Sequence, residues 1–395
     1  MKRTMVVALC IVFVCGGSVG ASEPAAVINV MTRNQYLGAD LTPVILAQTP
    51  QQFVAAATAA LKQIAANDFP RRARALALEV FFTRPDVIGL QEVFDFTLNG
   101  RNAGPPFVNH LQATLDALSA LGLHYVAAGT VEHLDVTLPL DVNGDGTTEI
   151  VRILDRDVIL VKAGVPYANL RGSFLTGGLC GVPIANPAPL PPFPASLQSK
   201  PSQDGCTYTI IGVVNTPVGP ITVERGFLGV DVSVGGTSYR IVNTHLEVIQ
   251  PDPTNPNSAI IQFLQSIELA GTLQATTPAG RRLIALGDYN SSPLNKPIGS
   301  IVPPYQVMAG SGFADAWNTN ALAFLDRDGF TCCEQADLAN KRSLLSERID
   351  LLFVRAAEPF LPAAIVTGRI PLSLFKPPNW ASDHGGVFGK LIFPH

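Results

Sequence analysis

The sequence predicts an α/β (α+β) chain of stacked β-sheets with helices packed outside them. Three observations carry this. Apolar, β-branched runs recur from Val27 to Ile392. Helical runs fall between strands early and late, while the middle is strand-rich. The 395 residues are 47% hydrophobic and 15% charged, enough to bury a large core and far from a disordered composition.

The chain starts with a basic Lys2-Arg3, an apolar run from Met5 to Cys15 and small residues from Gly16 to Ala21. This is the pattern of a secretory signal peptide over residues 1–21. The run is shorter than the ~20 apolar residues that span a bilayer. Phe13 and Val14 before Cys15 do not suit a lipoprotein site. A secreted or periplasmic protein without a transmembrane segment is therefore expected.

Strands are expected at Val27–Thr32, Val87–Leu90, Tyr125–Ala128 and Val158–Val161, then at Thr222–Val234, Tyr239–Thr244, Leu283–Leu286, Ile349–Val354 and Val387–Ile392. Helices are expected at Pro50–Ala66, Pro70–Phe82, Pro106–Leu121 and Ser258–Gln274. Pro70 suits a first helical turn, which has no use for its missing N–H. Seven prolines between Gly181 and Pro201 mark a surface loop inserted at about 180–206, with strand-like segments on both sides.

Four cysteines remain after the leader: Cys180, Cys206, Cys332 and Cys333. In an exported chain an even number suggests disulfides. Cys180–Cys206 would close the Pro-rich loop. Cys332 and Cys333 either form a vicinal bridge, across Cα atoms only ~3.8 Å apart, or pair elsewhere. No Cys/His spacing typical of zinc is present. The net charge of −4, with no long basic run, argues against tight sequence-independent nucleic-acid binding. It leaves room for an enzyme that holds one or two phosphates through a metal.

The informative feature is where polar residues fall relative to apolar strands. Asn34 follows the first strand and Glu92 follows Val87–Leu90. His245 ends Arg240–Thr244, and Asp288 and Asn290 follow Leu283–Leu286. Asp350 lies in Arg348–Phe353, and Asp383-His384 precede the last strand. Polar groups at strand ends can converge on one cleft. Carboxylates and amide oxygens suit Mg²⁺ or Mn²⁺, and histidines hold or move a proton near neutral pH. Singly, each has a plain alternative: a solvated strand end, an Asx turn or a helix cap.

As an ordered set, Thr32-Arg33-Asn34, Leu90-Gln91-Glu92-Val93, Asn243-Thr244-His245-Leu246, Gly287-Asp288-Tyr289-Asn290, Arg348-Ile349-Asp350 and Ser382-Asp383-His384 resemble the endonuclease/exonuclease/phosphatase superfamily. That resemblance implies a four-layer sandwich, two mixed sheets packed face to face with helices outside, in one catalytic domain over 22–395. It implies a metal-dependent phosphoester hydrolase, nuclease-like or else acting as a phospholipase C, sphingomyelinase or phosphomonoesterase. Its substrate would be a nucleic acid, a phospholipid head group or another phosphoester, and the chain is expected to act as a monomer. An inactive extracellular binding protein on the same fold would have lost some of these positions.

The resemblance also implies roles. Glu92 is the main metal ligand, with Asn34 and Asp383 nearby. Asp288 orients or deprotonates the attacking water, and Asn290 holds it or a phosphate oxygen. His384 contacts the phosphate or acts as base, with Asp350 fixing its tautomer. His245 contacts the phosphate or protonates the leaving group. Some relatives pair that histidine with an acid, and Asp155 is the candidate here, unless Asp155 and Asp157 only terminate a strand.

Four further signals stand apart. Asp141, Asn143 and Asp145 have the alternate oxygen spacing of a calcium loop, but Arg152 stands where the closing Glu would be; a polar hairpin turn is the alternative. Phe375 and Trp380 either pack in the core or line the substrate groove. Arg33, Arg156, Arg225 and Arg348 are candidate basic residues beside the cleft, and His110, His124 and His133 read as surface or capping histidines.

Overall fold

A computed structural model describes residues 25–187, 193–249, 257–373 and 375–394. The expected leader at 1–21 and the tip of the Pro-rich insertion lie outside them.

Two large mixed sheets face each other. The first runs in the order Leu361–Thr367, Gly386–Phe393, Ala26–Asn34, Val87–Gln91, Glu149–Lys162, Asp95–Leu98, with Tyr125–Leu140 also paired to Glu149–Lys162. The second runs Ala314–Asp315, Asp350–Arg355, Arg282–Asp288, Thr237–His245, Gly226–Val234, Gly205–Thr207, Lys200–Ser202, with Tyr167–Asn169 on Gly226–Val234. Ile28, Val30, Val87, Ile159 and Val161 of the first sheet pack on Val230, Tyr239, Ile241, Ile284 and Leu286 of the second. Burying such side chains contributes ~1.5–3 kcal/mol each, so this layer supplies a large share of the stability.

Each outer face carries helices. Phe69–Thr83 and His110–Ala120 lay Leu76, Val80 and Leu118 on Met31, Ile88 and Leu160. Asn257–Thr276 and Pro304–Gly310 lay Leu264, Leu273 and Met308 on Val242, Ala285 and Phe353. The four-layer sandwich is therefore observed. The helix expected at Pro106–Leu121 starts later, at His110, where the Asn109 side chain accepts the Gln112 N–H as its cap.

Some strands differ from expectation. Tyr125–Leu140 and Glu149–Lys162 form one long antiparallel pair, far beyond the apolar cores of Tyr125–Ala128 and Val158–Val161. Their polar outer halves pair through backbone bonds, which hydrophobic runs do not reveal. The segment Thr222–Val234 is two strands, Gly219–Val223 and Gly226–Val234, broken at Glu224-Arg225. Asp155 and Asp157 do not terminate a strand; both lie inside Glu149–Lys162.

The Pro-rich insertion is tied down by short pairings, Ile184–Ala185 with Ser196–Leu197 and Gly205–Thr207 with Lys200–Ser202. Cys180–Cys206 is a disulfide with Cα atoms 5.5 Å apart, as expected. Cys332 and Cys333 are bonded to each other, so the vicinal alternative holds. Around Asp141, the loop's oxygens serve its own backbone: Asp141 accepts from the N–H groups of Gly144 and Gly146, and Asp145 from that of Thr147. Arg152 pairs with Asp135. No helix among the described residues is long and apolar enough to cross a membrane.

Candidate active site

Strand direction explains why residues far apart in sequence meet. Ala26–Asn34 and Val87–Gln91 are parallel, with Asn34 opposite Gln91, so Asn34 and the following Glu92 emerge at the same edge. In the second sheet Thr237–His245 and Arg282–Asp288 are also parallel, with His245 opposite Asp288. Asp350 starts an antiparallel neighbour, opposite Asp288. Asp383 and His384 lead into Gly386–Phe393, which runs antiparallel to the first strand. Gly287 allows this crowding: a Cβ there would lie 2.0 Å from the Thr244 carbonyl oxygen.

The two sheets are joined beneath the cleft by a polar bridge. Asn243 Nδ2 donates to the Leu90 carbonyl at 3.0 Å, and Gln91 Nε2 donates to Asn243 Oδ1 at 2.6 Å. Asn34 then spans the gap, donating from Nδ2 to Glu92 Oε1 at 3.0 Å and to Asp288 Oδ2 at 3.1 Å. The Leu37 N–H donates to Glu92 Oε2 at 2.9 Å. Ser382 Oγ donates to the Asn34 carbonyl at 2.9 Å, which docks the Asp383-His384 loop on the same edge.

His384 Nδ1 lies 2.8 Å from Asp350 Oδ2 and 3.9 Å from Asp288 Oδ2. A carboxylate only accepts, so Nδ1 carries the proton. Burial alone would favour a neutral ring, but Asp350, Asp383 and Asp288 outweigh it and hold the His384 pKa well above the ordinary range. Burial and the neighbouring Asp350 push the Asp288 carboxyl up. Burial raises Asp383 as well, with Glu92 adding to it. Glu92, Asn290 and Asp383 are half-buried and open the cleft to solvent.

On the other side, His245 Nε2 lies 3.6 Å from Asp288 Oδ2 and 3.1 Å from Asn290 Nδ2. Its Nδ1 faces Arg225 Nη1 at 3.0 Å. A guanidinium only donates, so Nδ1 presents its lone pair. Burial, then Arg225, push the His245 pKa well below the ordinary value.

This corrects the pairing expected of Asp155. Its carboxylate reaches Arg225 at 3.9 Å and His133 Nδ1 at 4.0 Å, and Arg225 takes the place beside His245. The break in the strand at Glu224-Arg225 puts the guanidinium there. His133 and His110 are also corrected: both are buried, at 1% and 0% exposure, whereas His124 is exposed. His110 stacks on Phe69 with ring centroids 3.4 Å apart. Arg33 and Arg348 are buried, on Glu79 and Asp315, and do not line a groove. Arg156 donates to the Val93 carbonyl and to Asn109. Trp380 is buried, with Nε1 bonded to the Asn340 carbonyl, while Phe375 is 97% exposed.

The donor set suits a hard divalent cation. Glu92, Asp383 and Asp288 bring carboxylate oxygens to one edge with the Asn34 amide between two of them. Among the described residues, the Asp383 side chain has only a long 3.4 Å contact with Ser382 Oγ as a side-chain partner. Oxygen donors with an excess of negative charge are what Mg²⁺ or Mn²⁺ takes.

The sequence profile of the Endonuclease/Exonuclease/phosphatase family matches residues 60–384. No curated protein matches the chain in sequence. Among solved structures, it is similar to an endonuclease/exonuclease/phosphatase from Beutenbergia cavernae DSM 12333, at 20% identity over 93% of this chain and 72% of that one, with a TM-score of 0.49. It is similar to a mannosyl-6-phosphatase from Bacteroides thetaiotaomicron VPI-5482, at 14% identity over 93% and 100%, with a TM-score of 0.48. It is also similar to D. rerio TDP2 complexed with a single-strand DNA product, at 14% identity over 93% and 99%, with a TM-score of 0.46.

Proposed function

The chain belongs to the endonuclease/exonuclease/phosphatase family, whose members are metal-dependent phosphoester hydrolases, and on that premise we propose that it is an exported phosphodiesterase, nuclease-like in its chemistry, with residues 22–395 as one catalytic unit. The observation that carries this reading is the bridge from Glu92 through Asn34 to Asp288, with His245 and His384 both within 4 Å of the same Asp288 oxygen.

Glu92, with Asn34 and Asp383 beside it, would hold Mg²⁺ or Mn²⁺, which neutralises charge on the phosphoryl oxygens and polarises the leaving side. Asp288 orients the attacking water and takes its proton; a carboxyl raised by burial is better matched to that work near neutral pH. Asn290, tethered by its Nδ2 to the Leu246 carbonyl at 2.9 Å, holds the water or a phosphoryl oxygen. His384, kept cationic by Asp350, contacts the phosphoryl group. His245 presents its Nε2 edge, beside the Asn290 amide, to a phosphoryl or leaving oxygen.

A diester fits better than a monoester dianion. Among the described residues the arginines nearest the site are already engaged: Arg72 on backbone carbonyls, Arg33 on Glu79 and Arg225 on His245. A lipid head group is the second reading, favoured by exposed Phe324, Ile370 and Phe375; the last two precede His384 in the loop that delivers it. Export is supported by the leader-like residues 1–21 and the Cys180–Cys206 disulfide.

The test is turnover of plasmid DNA, RNA, sphingomyelin vesicles and an aryl phosphodiester by the purified protein, with Mg²⁺ and with EDTA. Cleavage of DNA or RNA that stops with EDTA and in a His245→Ala, His384→Ala double variant is expected. Hydrolysis of vesicles alone would replace the nuclease reading with the lipid one. Turnover surviving in the double variant would refute the assignment of the site.

A further inference from the structure

Next to His245 lies a second cluster of titratable groups. The long strand Tyr125–Leu140 slips register between Glu132 and Leu134, so His133 is the extra, bulged residue. Bulges re-aim side chains, and this one sends His133 inward. Opposite it, Asp155 and Asp157 are two residues apart on Glu149–Lys162 and share a face. His133 Nδ1 is 3.7 Å from Asp157 Oδ1 and 4.0 Å from Asp155 Oδ2, too far for hydrogen bonds. Ligand atoms of His133, Asp157 and His245 all lie within 4.8 Å of one another. The His133 and His245 rings stand edge to face, centroids 6.3 Å apart.

These groups are left without partners. Both ring nitrogens of His133, both carboxylate oxygens of Asp157 and Oδ1 of Asp155 are buried and accept or donate no hydrogen bond within the protein. Buried polar atoms are nearly always bonded, and an isolated buried charge costs several kcal/mol. The charge balance points the same way. Asp155, Asp157 and Glu247 are buried carboxylates, and Arg225 is the guanidinium that faces them. Fully ionised, three carboxylates against this guanidinium would leave an excess of two, which burial resists by pushing the Asp155 and Asp157 carboxyls up.

We propose that His133, Asp157 and His245, with Asp155 beside them, form a binding site for a second divalent cation of the zinc type, distinct from the oxygen-lined cleft at Glu92. Two imidazoles and carboxylates are the ligands of Zn²⁺ and its transition-series neighbours rather than of Mg²⁺. A tetrahedral ion with ~2.0–2.2 Å bonds sets its ligand atoms ~3.3 Å apart, so each side chain would close inward by less than about 1 Å. The lone pair of His245 Nδ1 is engaged by Arg225 Nη1 at 3.0 Å, so the guanidinium must give way for that nitrogen to take the ion. Arg225 is the group that yields there, remaining the outer partner of Asp155 and Glu247. One divalent charge cancels the excess of two. The ion would brace the His245 ring through Nδ1 while its Nε2 keeps facing Asp288.

The protein expressed with Zn²⁺ in the medium, then dialysed against Mg²⁺ buffer, is assayed for bound metal by mass spectrometry. One transition-metal equivalent per chain is expected to survive dialysis. It is lost in His133→Ala and in the near-isosteric Asp157→Asn, and kept in Glu92→Gln, which alters only the other site. Cobalt-loaded protein should show visible absorption bands that Asp157→Asn lacks while its circular dichroism is unchanged. Absence of stoichiometric metal in the parent protein, or equal metal in the parent and Asp157→Asn, would overturn the proposal in favour of protonated carboxyls and trapped water. None of these readouts depends on which phosphoester is cleaved.

Discussion

Asp350, which opens a strand of the second sheet, and His384, in the loop before Gly386–Phe393 of the first, meet at 2.8 Å between Oδ2 and Nδ1. The pair sits on the seam where the two sheets share a cleft, and it fixes which ring nitrogen carries the proton. Asp350→Asn keeps the shape but replaces the carboxylate with an amide, which lets the ring adopt the other tautomer and removes the charge that keeps it cationic. Turnover is expected to fall ~10²–10⁴-fold with little change in KM. A loss under about 5-fold, measured on the substrate found above, would deny the pair its role.

Glu92 takes a bond from Asn34 Nδ2 on one oxygen and from the Leu37 N–H on the other. Glu92→Gln keeps its size and the acceptor for Leu37 while removing the negative charge that a hard cation needs. The Mg²⁺ concentration for half-maximal activity should rise at least ~10-fold. A magnesium titration superimposable on that of the parent protein would move the metal elsewhere.

Glu268 is buried under the second sheet, where it accepts from the N–H and the hydroxyl of Thr209, and burial raises its carboxyl to about 7. The folded chain therefore holds this proton more tightly than the unfolded one. Its stabilising effect is complete below about 4.5, declines as pH rises towards 7, and is gone above that. Glu268→Gln mimics the protonated form. It should stabilise the protein by on the order of 3 kcal/mol at pH 8 and change little at pH 4.5. Urea unfolding at the two pH values measures this; equal effects at both would show that Glu268 does not titrate in this range.

The disulfide Cys180–Cys206 closes 26 residues around the Pro-rich insertion, with both cysteines fully buried. Restricting the unfolded chain over such a loop is worth about 3 kcal/mol. The Cys180→Ala, Cys206→Ala double variant should lose roughly that much in urea unfolding. It should leave turnover of the folded enzyme unchanged, since neither residue approaches the cleft. An unaltered midpoint would mean that the short strand pairings hold the insertion unaided.

The pieces legible in the sequence were those in which local chemistry and periodicity agree. Asn34, Glu92, His245, Asp288, Asp350 and His384 stand where apolar strands begin or end, and a strand end exposes a polar residue at a sheet edge whatever its neighbours are. Helix Pro50–Ala66 was readable to the residue, because Thr49 caps it and Pro50 opens it.

His133, Arg225 and Asp155 were not legible. His133 sits between Glu132 and Leu134, beyond the apolar run Tyr125–Ala128, where it reads as a surface histidine, and a one-residue slip of register turns it inward. Arg225 lies in what reads as one continuous strand, and the break beside it aims the guanidinium at His245.

The sequence alone thus determined the sandwich and the polar residues available at its edge, because burial periodicity and strand-end chemistry are local properties of the chain. Only the tertiary structure decided that Arg225, not Asp155, stands beside His245, and that His133 joins two aspartates next to it. Those neighbours are set by strand register and sheet packing, which depend on contacts between segments as far apart as Asn34 and Asp288, 254 residues along the chain.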